Sequence, residues 1–186
     1  DNPTPGWWSW MFFGSFVFSV LYFMAYQLGT AGSSVVEAYE SDVQAVNMRM
    51  VEQMGELVVD EATILRFLKG DQKGMIGVGN GIFKQNCATC HGANAQGLTG
   101  PNLTDEYFKN VKTLGDIGKV VQTGVSGTAM LGWDGRMHPN EIVMVSAYVA
   151  SLRGENLDGP LGAQGDEIAP WPDAPPVTSG EAVETP

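Results

Sequence analysis

The chain's apolar and polar positions follow a different pattern in each of its parts. Residues 7–28 read WWSWMFFGSFVFSVLYFMAYQL, apolar on every side and without a charge. At 1.5 Å per residue a helix of this length reaches about 33 Å, enough for a hydrocarbon core of roughly 30 Å. Trp7, Trp8 and Trp10 crowd one end and Tyr22 and Tyr26 lie towards the other, the arrangement of an interfacial aromatic belt. Pro3 and Pro5 precede the run and Gly29 and Gly32 follow it, so both ends are punctuated. A signal peptide has a basic leader and an apolar core of only about 7–15 residues. A buried core helix is commonly about 10–14 residues. The pattern therefore predicts a membrane anchor over residues 1–36, with one spanning helix at about 7–28.

Beyond a small-residue break at 30–34 the period changes. Val43, Val46, Met50, Met54 and Leu57 recur at helical spacing, and Ser41 with Gln44 matches a capping box that would start that helix. Met48, Met50 and Met54 read as packing surface rather than metal ligands, since methionine fills irregular gaps. A short helix over 61–69 stops at Gly70. Residues 37–73 thus read as a helical stalk.

Two more helices bracket the expected core, at 74–86 and 139–154. Pro139 is a favourable first helical residue and Gly154 a natural stop. Ile142, Val145, Val149 and Leu152 form one apolar face of the later helix, with Tyr148 beside it. On the earlier one Gly79 and Phe83 lie a turn apart. The glycine admits a neighbouring backbone and Phe83 can pack on Tyr148, so the two helices are expected to cross. The glycine-rich stretch 92–138 holds one further helix, over 116–123. Alternating strands and internal repeats are missing. The expectation is an all-α chain: one N-terminal transmembrane helix, a helical stalk, one compact domain over 74–154 and an irregular tail over 155–186.

Charge sharpens the division. Of 186 residues, 21 are acidic and 10 basic, a formal charge of −11. Residues 2–36 carry none of these. The tail holds Glu155, Asp158, Asp166, Glu167, Asp173, Glu181 and Glu184 without a single base, so most of the net charge sits there. The basic footprint of a nucleic-acid binder is absent. The Pro-rich acidic composition of 155–186 predicts a solvated extension that only a partner surface would hold in place. Such a tail would steer basic donors, within a screening length of roughly 8 Å. Lys and Arg are lacking before Arg49, so charge leaves the orientation of the span open.

The chemistry lies in Cys87-Ala88-Thr89-Cys90-His91, which contains both cysteines of the chain. Two thiols three residues apart can each add to a vinyl group of one haem, and the following histidine then reaches the iron; C-x-x-C-H is the signature of covalent haem c attachment. A thioredoxin-like pair would sit in a βαβ setting. A zinc site needs four N or S ligands, and only His138 is left besides this cluster. A disulfide would leave His91 without a role. The second axial position falls to Met130, in the flexible run Gly127-Thr128-Ala129-Met130-Leu131-Gly132-Trp133, with Met137 as fallback and His138 third. Pro101 offers its carbonyl to the second ring nitrogen of His91, unless it marks only a surface turn. Trp133 packs on the haem edge or fills core.

The front end Asp1-Asn2-Pro3 with Trp7-Trp8 and a single span resembles subunit III of bacterial cbb3-type cytochrome c oxidases. So do Cys87 to Gly92, Gly100-Pro101-Asn102-Leu103-Thr104-Asp105 and Ala147-Tyr148-Val149-Ala150-Ser151-Leu152. The haem motif and the last run are shared with many class I cytochromes c; the front end and the Pro-Asn-Leu-Thr-Asp run are more telling. The resemblance covers residues 1–154. It implies a class I cytochrome c domain, an N-terminus in the cytoplasm, and a periplasmic haem domain on the bacterial inner membrane. It further implies Met130 as axial ligand, cytochrome c donors, and a haem–copper catalytic subunit as acceptor. That family carries two haem motifs where this sequence has one.

The expected role is a membrane-anchored electron carrier with one covalent haem c, serving as a subunit of a terminal oxidase, with no catalysis of its own. A free-standing tethered cytochrome c, a subunit of another respiratory or photosynthetic complex, and a haem gas sensor are the other readings of the same motif.

Overall fold

The computed structural model describes residues 3–28 and 35–173, in two compact units, residues 1–46 and 47–186. In the first unit, α1 (Gly6–Phe23) starts after Pro5, whose carbonyl accepts from Trp8 N–H at 3.0 Å, and ends in a π turn over Met24–Leu28. The helix buries none of its residues, and residues 6–26 are long and apolar enough to cross a membrane. Apolar on every side, it buries no face against the described residues, and water is a poor partner for it. Stacked rings stiffen its flanks: Trp8 with Phe12 at 6.0 Å between centroids, and Tyr22 with Tyr26 at 4.5 Å.

Helix α2 (Val35–Gln53) corrects one expectation. It begins six residues before Ser41, whose hydroxyl donates to the Ala38 carbonyl at 2.8 Å in mid-helix. A serine followed three residues on by glutamine can also sit inside a helix, where the hydroxyl bonds back to the preceding turn. The break at 30–34 lies outside the described residues.

The second unit is a helical domain. Asp60 caps α3 (Glu61–Lys69) by accepting from Thr63 N–H at 2.8 Å, and Ile64, Leu65, Phe67 and Leu68 face inwards. A 3₁₀ turn over Lys73–Met75 leads into α4 (Ile76–Asn86), followed by the short α5 (Ala88–His91). A Thr113/Asp116 capping box opens α6 (Leu114–Thr123), two residues earlier than the sequence suggests. In α7 (Pro139–Leu152) Pro139 takes the first turn, and His138 is the N-cap, its Nδ1 accepting from Asn140 N–H at 3.2 Å.

Helix α7 is the axis of the core; α3, α4 and α6 pack on it and α3 also on α6. Ile64, Phe67, Phe83, Leu114, Ile142 and Met144 are sealed from solvent. The α4–α7 crossing has the predicted form. A Cβ at Gly79 would overlap the Met144 carbonyl oxygen and stand 2.7 Å from Tyr148 Cβ, while Phe83 and Tyr148 meet at 5.5 Å between ring centroids.

Three features depart from the sequence reading. The compact unit includes α3, which the sequence places in the stalk, because its apolar face belongs to the core. The chain is mostly helical rather than purely so: β1 (Tyr107–Phe108) and β2 (Asp166–Glu167) form a two-residue antiparallel pair, Tyr107 opposite Glu167. The third concerns the tail, whose residues 166–171 pack against their own domain. Trp171 Nε1–H donates to the Ala150 carbonyl at 3.0 Å, its ring meets Phe108 edge-on at 5.9 Å, and Arg153 lies 4.8 Å over it. Arg153 also donates to the carbonyls of Ile168 and Ala169. Residues 174–186 lie outside the described ones.

One buried polar residue joins distant segments. Asn140 is fully buried; its Oδ1 accepts from Leu57 N–H at 2.7 Å, and its Nδ2 faces the carbonyls of Val51, Met54 and Gly55 at 3.1–3.3 Å. It thereby serves the Val51 carbonyl in the last turn of α2 and those of Met54 and Gly55 just beyond it.

Candidate functional site

Helix α4 delivers Cys87 at its C-terminal end, where its N–H bonds to the Phe83 carbonyl at 2.8 Å. One tight turn follows. The Cys87 carbonyl accepts from the N–H groups of Cys90 and His91 at 3.1 and 3.0 Å, so both thiols and the imidazole issue from a single turn. Gly92 ends it at φ +87°, a backbone region costly for any side chain. The chain then wraps back over the turn. The Cys90 carbonyl meets the N–H groups of Leu98, Thr99 and Gly100 at 2.8–3.2 Å, and the His91 carbonyl meets Gly97 N–H at 2.7 Å.

Both cysteines are free thiols, Cys87 half-buried and Cys90 exposed. Burial, with Cys90 beside it, pushes the Cys87 thiol up to about 11. The imidazole of His91 is lowered from its ordinary value by burial, against the opposing pull of the Pro101 carbonyl. That carbonyl lies 3.0 Å from His91 Nδ1. A carbonyl oxygen can only accept, so Nδ1 carries the proton and Nε2 keeps a free lone pair. Glycine is required at position 100, where a Cβ would come within 2.9 Å of His91 Cε1. Phe83 stands on another side of the ring, 6.5 Å between centroids.

Cys87, Cys90, His91 and Pro101 thus form one cluster. Met130 and Trp133 belong to a second loop, after α6. The Met130 carbonyl accepts from Val125 N–H at 2.9 Å and its own N–H donates to the Thr128 hydroxyl at 3.1 Å; its side chain is half-buried. Trp133 is half-buried against the core, its N–H on the Val121 carbonyl at 3.0 Å and Arg136 4.7 Å over its ring. Met137 is a core residue, 8 % exposed. Among the described residues no three His, Cys, Asp or Glu side chains gather into a metal-binding cluster.

The donor set fits a covalently held haem. Two free thiols and an imidazole with its Nε2 open project from one turn, and a zinc site's four ligands are not assembled. Two residues that carry the site enter the sequence reading only as letters of the Pro-Asn-Leu-Thr-Asp run, with no role given. Asn102 and Thr104 are 6 % and 0 % exposed, and Asn102 Oδ1 accepts from both Thr104 N–H at 2.8 Å and its hydroxyl at 2.7 Å. The signal was an asparagine two residues before a threonine in a turn, the spacing of an Asx-turn.

The family described as "Cytochrome C oxidase, cbb3-type, subunit III" matches residues 60–149, and the one described as "N-terminal domain of cytochrome oxidase-cbb3, FixP" matches residues 1–32. The cbb3-type cytochrome c oxidase subunit CcoP of Azospirillum brasilense is 28 % identical over 90 % of this chain and 64 % of its own length. Subunit FixP of Azorhizobium caulinodans is 27 % identical over the same shares. The chain therefore spans slightly less than two thirds of these relatives. In structure it is similar to cytochrome cL of Methylophaga aminisulfidivorans, with a TM-score of 0.41 and 26 % identity over 46 % of this chain and 56 % of that one.

Proposed function

The chain is related to subunit III of cbb3-type cytochrome c oxidases, and on that premise we propose that it is a membrane-anchored c-type cytochrome passing electrons towards a haem–copper terminal oxidase. Its donor would be a cytochrome c or similar carrier. Residues 7–28 would cross the bacterial inner membrane once, with the N-terminus in the cytoplasm and a class I cytochrome c domain in the periplasm. The observation that carries the reading is the C-x-x-C-H turn with His91 Nδ1 bound to the Pro101 carbonyl, which leaves Nε2 free to ligate.

Cys87 and Cys90 would hold one haem c, each thiol adding across a vinyl group, sulfur to one carbon and hydrogen to the other. When bound, the haem supplies a reversible one-electron couple. The chain's own residues do the rest. His91 would hold the iron through Nε2, and the Pro101 carbonyl fixes its tautomer and orientation. Met130 would supply the second ligand. Supporting it over Met137 is the place of each: Met137 fills the core, while Met130 lies on a loop that its own hydrogen bonds hold at one end. A thioether in that position raises the potential relative to a second imidazole, as suits a carrier near oxygen. His138 is already engaged as the cap of α7. Trp133 would shield the haem edge.

Three measurements test this. In acid acetone the pigment stays with the polypeptide if the thioethers exist; a colourless chain refutes them. Met130→Ala abolishes the weak absorption band of ferric iron bonded to sulfur while Met137→Ala retains it, and the reverse overturns the ligand assignment. On blue native gels stained for haem the chain comigrates with a haem–copper subunit. A band at the monomer's size alone overturns the oxidase role and leaves a tethered carrier.

A further inference from the structure

The residues just beyond the Pro101 carbonyl that orients His91 are held by a segment about fifty residues away. Gly154, Asn156 and Leu157 are tied to Asn102 and Thr104. Asn102 Nδ2 donates to the Leu157 carbonyl at 2.8 Å, and Leu157 N–H donates to Thr104 Oγ1 at 3.0 Å. The Thr104 carbonyl accepts from the N–H groups of Gly154 and Asn156 at 2.9 and 3.0 Å. Leu103 N–H closes the other flank on the Ala95 carbonyl at 2.9 Å. Gly159 rests so closely on Gln96 that a Cβ there would overlap the Gln96 carbonyl oxygen. The peptide unit in question joins Pro101 to Asn102. Proline's ring fixes its own φ, so what remains free is the tilt of that plane, and this is set from the Asn102 side. Gly97 packs closely against the same peptide unit, since a Cβ there would come within 2.8 Å of Asn102 N.

We infer that Asn102 is a positioning residue for the axial histidine: its buried side chain, locked between Thr104 and the Leu157 carbonyl, aims the Pro101 carbonyl at His91 Nδ1. Both lone pairs of Oδ1 are engaged by Thr104, and one N–H of Nδ2 by Leu157, so the amide has one orientation. The physical consequence runs through the imidazole. A carbonyl held on Nδ1–H makes the ring a better electron donor and favours the ferric state; a carbonyl that wanders weakens that bias. The inference rests on the haem reading above for its redox consequence, and on geometry alone for the hold on Nδ1–H.

The test uses the full chain in detergent with four variants. Asn102→Ala removes the lock. Thr104→Val removes one hydroxyl at nearly constant volume, and serves if the alanine variant fails to fold. Thr104→Ser restores the hydroxyl. Trp171→Ala loosens the far end of the tail segment without touching Asn102. Two quantities are read: solvent exchange of His91 Nδ1–H by NMR in the reduced state, and the ferrous-to-ferric ratio at a fixed solution potential. Asn102→Ala and Thr104→Val are expected to speed exchange at least tenfold and raise the ratio about threefold, which is about 28 mV at 59 mV per tenfold for one electron. Thr104→Ser is expected to match wild type in both, and Trp171→Ala to match it despite lower stability. Unchanged exchange in Asn102→Ala and Thr104→Val, or an equal change in Trp171→Ala, overturns the inference. Failure of the haem reading is separate: wild type loses its pigment in acid acetone, and in the pigment-free chain the exchange comparison still decides whether Asn102 holds the carbonyl.

Discussion

Two glycines of α4, two positions apart, are predicted to respond to the same substitution with opposite sign. Replacing glycine by alanine inside a helix gains about 1 kcal/mol of backbone entropy and propensity wherever the methyl group fits. At Gly77 nothing lies within 4 Å of the new Cβ, so that gain is realised. At Gly79 the methyl would land on the Met144 carbonyl oxygen of α7, with the carbonyl carbon at 2.9 Å and Tyr148 Cβ at 2.7 Å. These atoms are backbone and the root of a side chain, which cannot swing aside, so the helices must separate. Overpacking of a close-packed site costs about 1–3 kcal/mol, and a backbone clash belongs at the upper end. The balance is about +1 kcal/mol for Gly77→Ala and about −2 kcal/mol for Gly79→Ala, a gap of about 3 kcal/mol. For a unit of this size 1 kcal/mol is worth about 2–4 °C, so the two melting temperatures should differ by about 6–12 °C. Far-UV circular dichroism of the detergent-solubilised chain measures it. Gly79→Ala melting at or above wild type, in step with Gly77→Ala, would refute the claim that a backbone-to-backbone crossing sets the distance between α4 and α7.

Other positions make further demands. Asn140→Ala strands the Leu57 N–H and the carbonyls of Val51, Met54 and Gly55 in a buried joint, and should cost about 3 kcal/mol or more in urea unfolding; a loss below about 1 kcal/mol would mean that water replaces the amide. Trp171→Ala removes a ring half-buried against Phe108 and Arg153, with an expected loss of about 2 kcal/mol, less than for a sealed tryptophan. The same variant should be cut faster by protease within 155–173, and an unchanged cleavage pattern would contradict the packing described. The carboxyl of Asp116 resists burial, which pushes it up, through hydrogen bonds from Thr113, Lys119 and Lys112 that bring it down to about 2 from 3.8. Its folded pKa lies below the unfolded one, so its contribution is complete above about pH 4 and is lost as the pH falls towards 2. Asp116→Asn should therefore cost about 1 kcal/mol at pH 7 and almost nothing at pH 2; a constant difference across that window would show that the charge plays no part.

Sequence reading served best where the physics is local. Apolar spacing along 139–154 marks its helix because that helix buries one face, Gly70 marks the end of the helix over 61–69, and Gly79, Phe83 and Tyr148 foretell the crossing because a missing Cβ and two rings are complementary. The C-x-x-C-H turn is legible for the same reason, the bonds that shape it running from Cys87 to Cys90 and His91 within four residues. The start of α2 was misread at Ser41 because its capping signature also occurs within helices. The β1–β2 pair, two residues on each side, is too short to show alternation. The tail was taken for a solvated extension on its prolines and acids; the few apolar residues that anchor it, Ile168 and Trp171, meet partners at Glu106, Phe108 and Ala150 that no window along the chain connects. The roles of Asn140 and Asn102 are hidden likewise, Asn102 standing only as one letter of the Pro-Asn-Leu-Thr-Asp run, because a buried asparagine declares itself only through the backbone groups it serves.

The contrast in range between two sets of bonds has a consequence for how the protein is made. Cys87 and His91 are linked by bonds spanning three or four residues, whereas Asn102 and Thr104 wait for Leu157, 55 and 53 residues further on. A chain emerging from its N-terminus completes the cysteine turn well before the residue that latches the loop beyond it has been added. The cysteine turn can thus form while the loop beyond it is still open, and the arrival of residues 154–157 afterwards closes that loop.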